Sequence, residues 1–80
     1  MNKTIKERVL EAICEVNDEV MDNQDKDLLL NGIIDSFEIV EIMVELEDVF
    51  NIEIDAECAT PDNFRTIDNI VELVESILHK

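Results

Sequence analysis

From Ile5 onward the apolar residues return at steps of three and four: Ile5, Val9, Ala12, Ile13, Val16 and Val20. That spacing marks one face of an α-helix. Thr4, followed three residues later by Glu7, has the spacing of a capping box, in which a hydroxyl and a carboxylate satisfy backbone N–H groups at a helix start. The pattern predicts a first helix from about Thr4 to Met21. The polar run MDNQDKD that follows has no period and reads as loop. Leu28, Leu29, Leu30, Ile33 and Ile34 are too apolar for a solvated loop and are expected to fold back over the core, with Asn31-Gly32 making a turn.

Asp35-Ser36-Phe37-Glu38 repeats the capping-box spacing, with Asp35 as N-cap and Glu38 at the third helical position. Ser36 is then the first residue of a second helix that should end near Phe50, with NIEID as its exit. Thr60-Pro61 places a cap before a proline, the signature of a short helical turn. Thr66 can cap a last helix whose apolar face is Ile67, Ile70, Val71, Val74, Ile77 and Leu78. One glycine and one proline leave little punctuation for anything but helices. The expected fold is all-α: a small bundle of three long amphipathic helices plus one short helix, with a long loop between helices 1 and 2.

At roughly 100° per residue the second helix sorts into three stripes. Ile39, Ile42, Met43, Leu46, Val49 and Phe50 form a core stripe, and Glu38, Glu41, Glu45 and Asp48 form an acidic one. Phe37, Val40 and Val44 lie beside the acids, off the core arc. Acids alone on a surface can be simple solvation, but like charges at i, i+4 repel and give up stability. A stripe without lysine or arginine favours docking of a basic partner. Phe37, Val40 and Val44 are either a contact patch or the edge of a bundle that wraps further round.

Composition narrows the partners. Twenty-one acids against six bases give a net charge of −15, which repels nucleic acid and anionic membrane surfaces and suits basic protein surfaces or cations. Eighty residues are expected to form one domain and a monomer. No run is long and apolar enough to span a membrane. The charged N-terminus does not read as a signal peptide, so a cytoplasmic location is expected. Cys14 and Cys58 are far apart with no CxxC, and read as packed, reduced thiols rather than a disulfide or zinc site.

Ser36 is the one residue whose place asks for chemistry. It could be a structural serine. It fails as a catalytic nucleophile, because the only histidine, His79, is penultimate and no base is near in sequence. It suits a covalent phosphate ester, since a helix N-terminus offers unpaired N–H groups and a positive dipole end. A calcium loop of the EF-hand kind over Asp27 to Glu38 fails at Leu29, where an oxygen ligand belongs. No metal ligands or catalytic residues are assigned, and a plain acidic adaptor shares every feature except a purpose for Ser36.

Asp35-Ser36-Phe37-Glu38, Val40-Glu41-Ile42 and the later run from Leu46 to Ile54 resemble the acyl carrier protein family, and the resemblance extends from about Thr4 to Leu78. It implies a non-enzymatic carrier in which Ser36 bears 4′-phosphopantetheine, transferred from coenzyme A by a phosphopantetheinyl transferase. Asp35 belongs to the attachment motif. Acyl groups would ride on the arm as thioesters in fatty-acid, polyketide-like or related biosynthesis. The loading and transferring enzymes would present basic surfaces to Glu38, Glu41, Glu45, Glu47 and Asp48, with Phe37, Val40 and Val44 as apolar contacts. Phe37 stands where the family more often has leucine. The approach Gly32-Ile33-Ile34-Asp35-Ser36 resembles D-alanyl carrier proteins of teichoic acid modification and standalone carriers of specialised pathways.

Overall fold

A computed structural model describes residues 4–79. The start of each long helix follows from its cap. In α1 (Ile5–Val16), Thr4 Oγ1 accepts the Glu7 N–H at 3.1 Å, and Glu7 Oε1 accepts the Thr4 N–H at 3.4 Å. The second helix, α2 (Ser36–Phe50), opens on the same device built from Asp35 and Glu38. A single turn, α3 (Pro61–Phe64), starts on its proline, whose missing N–H would have had no partner there. Thr66 Oγ1 accepts the Asn69 N–H at 3.1 Å to begin α4 (Ile67–Leu78). No strand occurs among the described residues.

α1 packs against α2 and α4, and α3 against α4. Val9, Ile13, Leu28, Ile42, Leu46, Phe64, Ile70 and Val74 fill the centre and are fully buried. Each such side chain contributes about 1.5–3 kcal/mol of hydrophobic stabilisation. No polar or charged residue among those described is buried, so every group capable of chemistry or recognition lies at the surface. Arg8 closes one edge of the core: its guanidinium donates to Val49 O at 2.8 Å and lies 4.4 Å over the Phe50 ring.

The structure departs from the sequence pattern at four places. α1 stops at Val16 rather than near Met21, because Asn17 adopts extended backbone (φ −154°, ψ 105°) and becomes the cap of a 3₁₀ turn, Asp18–Asn23. Val20 is still fully buried, carried inward by that turn, and this is why it kept the helical period. Leu30 is 77% exposed, not folded over the core. Its neighbour Leu28 is pinned by its N–H to Arg65 O and takes the Ile33 and Ile34 N–H groups on its own carbonyl. With Gly32 in the left-handed region (φ 68°), the turn leaves Leu30 on the outside. A second 3₁₀ turn, Ala56–Cys58, forms where no element was expected. In α4 the expected face is buried at Ile67, Ile70 and Val74 with Val71 and Ile77 packed against the core, but Leu73 joins it and Leu78, 40% exposed, does not.

α2 ends on Asn51 in the left-handed conformation (φ 53°), where the Asn51 and Ile52 N–H groups both reach Glu47 O. Cys14 and Cys58 are free and half-buried. Burial, and then the carboxylates of Asp18 and Glu15, push the Cys14 thiol above its ordinary range.

Candidate functional site

Both serines of the described chain sit on helices, and they differ in one respect. Ser76 Oγ donates to Leu73 O at 2.7 Å, whereas Ser36 Oγ has no hydrogen-bond partner among the described residues. Ser36 is exposed at the first position of α2. The backbone N–H groups of Ser36 and Phe37 also donate to nothing among the described residues, as expected of a helix's first turn. A free hydroxyl beside two free amides at the positive end of a fifteen-residue helix is a place where a phosphodiester fits.

The turn carrying Ser36 is held rigidly. Asp35 Oδ1 accepts the Glu38 N–H at 2.9 Å, and Glu38 Oε1 accepts the Asp35 N–H at 3.1 Å. The other Glu38 oxygen, Oε2, accepts from Asn17 Nδ2 at 3.1 Å, and the same nitrogen donates to Ile33 O at 2.7 Å. Asn17 was not singled out in the sequence, although its cap spacing before Asp18-Glu19 inside an apolar period was a signal. No base hydrogen-bonds to Ser36 among the described residues, so none of them activates the hydroxyl as a nucleophile.

The expected docking residues separate into two sets. Phe37 (82%), Val40 (55%) and Val44 (58%) are exposed, so the bundle does not wrap round to cover them. Glu41 and Asp48 are exposed and Glu45 half-buried, all without hydrogen-bond partners among the described residues. Glu38 and Glu47 are instead turned to structural use: Glu38 in the cap, and Glu47 Oε2 accepting the Ile54 N–H at 2.8 Å. None of the ion pairs among the described residues involves α2. Val40, Glu41, Val44 and Glu45 face Glu15 and Val16 of α1 across an open groove of about 320 Å³.

The residues of the calcium alternative have other partners. Asp27 accepts the Leu30 N–H and lies 3.6 Å from Arg65, while Asp35 and Glu38 cap α2. Among the described residues no cluster of three metal-ligating side chains forms.

Residues 7–75 match the profile of the family described as "Phosphopantetheine attachment site". The chain belongs to that family. Its cofactor is covalently attached 4′-phosphopantetheine, and the protein is a phosphopantetheine carrier. Two relatives that it resembles from end to end are D-alanyl carrier proteins. One, from Streptococcus pyogenes serotype M1, is 35% identical over 77 residues, covering 95% of this chain and 98% of the relative. The other, from Leuconostoc mesenteroides subsp. mesenteroides, is 31% identical over 75 residues, covering 92% and 96%. No helix among the described residues of this carrier is long and apolar enough to cross a membrane.

Proposed function

We propose that Ser36 bears the phosphopantetheine arm, that the cargo is a D-alanyl or closely related aminoacyl group, and that the outer face of α2 docks the enzymes that load and unload it. The carrying observation for the attachment point is the unpaired, exposed Ser36 hydroxyl at the tied start of α2. In the attachment step Ser36 Oγ forms a bond to the phosphorus of coenzyme A nearest the pantetheine. The bond from that phosphorus to the bridging oxygen breaks, and adenosine 3′,5′-bisphosphate leaves with the electron pair. The hydroxyl proton goes to a base supplied by the transferase, since none of the described residues places one on Ser36. When bound, the arm supplies a thiol that holds cargo as a thioester.

The cargo reading is supported by the end-to-end likeness to D-alanyl carrier proteins, together with the Gly32-Ile33-Ile34-Asp35-Ser36 approach. The broader assignment to fatty-acid or polyketide-like biosynthesis rests on the attachment motif, which carriers of many pathways share. Phe37, Val40 and Val44, interleaved with Glu41, Glu45 and Asp48, offer basic enzymes apolar contact and charge steering on one face. Glu38 and Glu47 support that face through the helix ends they hold. The carrier itself presents cargo and does no chemistry on it.

Intact-mass spectrometry tests both halves. A phosphopantetheinyl transferase with coenzyme A should add one arm to the wild type and none to Ser36→Ala. A D-alanine ligase from a D-alanyl carrier system, with ATP and D-alanine, should then add one alanyl group to the armed protein. Modification of Ser36→Ala would remove the attachment reading. Loading by a fatty-acyl ligase and not by the D-alanine ligase would replace the cargo reading.

A further inference from the structure

We infer that Asn17 is a positioning residue for Ser36, a latch between the end of α1 and the start of α2 that holds the attachment hydroxyl in its reactive place. This rests on Ser36 being the attachment point. Asn17 uses its whole side-chain amide. Oδ1 accepts the Glu19 N–H at 3.0 Å, and the two Nδ2 hydrogens go to Ile33 O at 2.7 Å and Glu38 Oε2 at 3.1 Å. The orientation is fixed by its neighbours: a flipped amide would set an oxygen against two acceptors and a nitrogen against a donor.

The tie points straddle the serine, one three residues before it and one two residues after. Ser36 makes no side-chain bond of its own among the described residues, so the place of its Oγ is set by the backbone from Ile33 to Glu38. That backbone is tied across 16 and 21 residues of sequence to a single side chain. A reacting group displaced by about 1 Å loses on the order of a hundredfold in rate. Neither isosteric residue reproduces the latch: aspartate cannot donate and would face the Glu38 carboxylate, and leucine matches the shape without the bonds.

Of the docking residues only Phe37 lies inside the tied segment, and Val40, Glu41, Val44, Glu45 and Asp48 lie further along α2, so the expected signature is chiefly a loss in kcat rather than in affinity. Asn17→Ala and Asn17→Asp should each lower kcat for arm transfer to Ser36 by about ten- to a hundredfold, with KM for the carrier within about twofold of wild type. Thr4→Ala, which weakens the fold at the far end of α1, should leave kcat unchanged and controls for general destabilisation. A wild-type kcat for both Asn17 variants, or an equal loss in Thr4→Ala, overturns the latch. If the variants do not fold, hydrogen exchange on the wild type decides: the Glu38 N–H should exchange more slowly than the Glu7 N–H, and equal protection overturns it. Absence of modification at Ser36 in the wild type would strike the attachment reading instead.

Discussion

The first and second helices begin with the same four-residue device and put it to different uses. At the start of α1, Thr4 and Glu7 satisfy each other at the surface, with the return bond from Glu7 to the Thr4 N–H stretched to 3.4 Å. At the start of α2, Asp35 and Glu38 do so at 3.1 and 2.9 Å, and the spare Glu38 oxygen is bound by Asn17. The first box is a local cap that can fray without consequence elsewhere. The second is a cap tied to another helix, and it carries the hydroxyl proposed for modification. Local sequence produces a helix start in both; long-range hydrogen bonding makes one of them a platform.

Removing the carboxylate from each box should separate the two most widely. Glu38→Ala loses the return bond to the N-cap and leaves a half-buried Asn17 N–H without an acceptor, a cost of about 1–2 kcal/mol. Glu7→Ala exposes only a terminal N–H to water and should cost about 0.5 kcal/mol or less. Urea unfolding of the two variants measures the gap. Equal losses would mean that the Asn17 contact contributes nothing to stability.

That contrast also shows what could be read from the sequence. Every cap at Thr4, Asp35 and Thr66 lies within four residues of its partner, so spacing alone located the helix starts. The end of α1 was misplaced because Asn17 answers to Ile33 and Glu38, groups that no local window contains. Leu30 looked buried from its place in an apolar run, but its orientation is set by Leu28 hydrogen-bonding to Arg65, again a distant partner. At the candidate site, the place of Ser36 at a helix start was legible from the capping-box spacing, and helical period set Phe37, Val40 and Val44 off the core arc, while only the fold shows them uncovered. Among the acids of α2 the sequence marked Glu38 as a capping-box member, but it did not show that Asn17 would bind Glu38 or that Glu47 would bind Ile54. Those two bonds join residues that no single helix contains.

Replacing the caps themselves should narrow the comparison. Asp35→Ala and Thr4→Ala each remove one side-chain acceptor from the N–H of the third helical residue, at about 1 kcal/mol apiece. The expected result is two similar losses by thermal or urea unfolding, in contrast to the unequal carboxylate pair. A much larger loss for Asp35→Ala would show that the whole second box, and not only Glu38, is tied to the rest of the fold.

The smallest expected change in stability comes from charge reversal at Glu41, and set beside the same reversal at Glu38 it distinguishes an acid offered outward from one used by the fold. Glu38→Lys would place an ammonium against the donors of Asp35 and Asn17 and should destabilise like Glu38→Ala or more. Glu41→Lys meets no such donors, since Glu41 is exposed and without hydrogen-bond partners among the described residues. The new lysine relieves repulsion with Glu45 one turn on and gains an opposite charge there, worth a few tenths of a kcal/mol, about 0.2–0.5. Its melting temperature should therefore hold or rise slightly. A basic partner surface would lose an attraction and meet a repulsion, which slows encounter more than it loosens the complex. Arm transfer to Glu41→Lys should be slower at low salt, through KM rather than kcat, with the defect shrinking as salt screens the charge. Transfer kinetics equal to wild type at low salt would make Glu41 a solvated residue and take the docking role from the face it occupies.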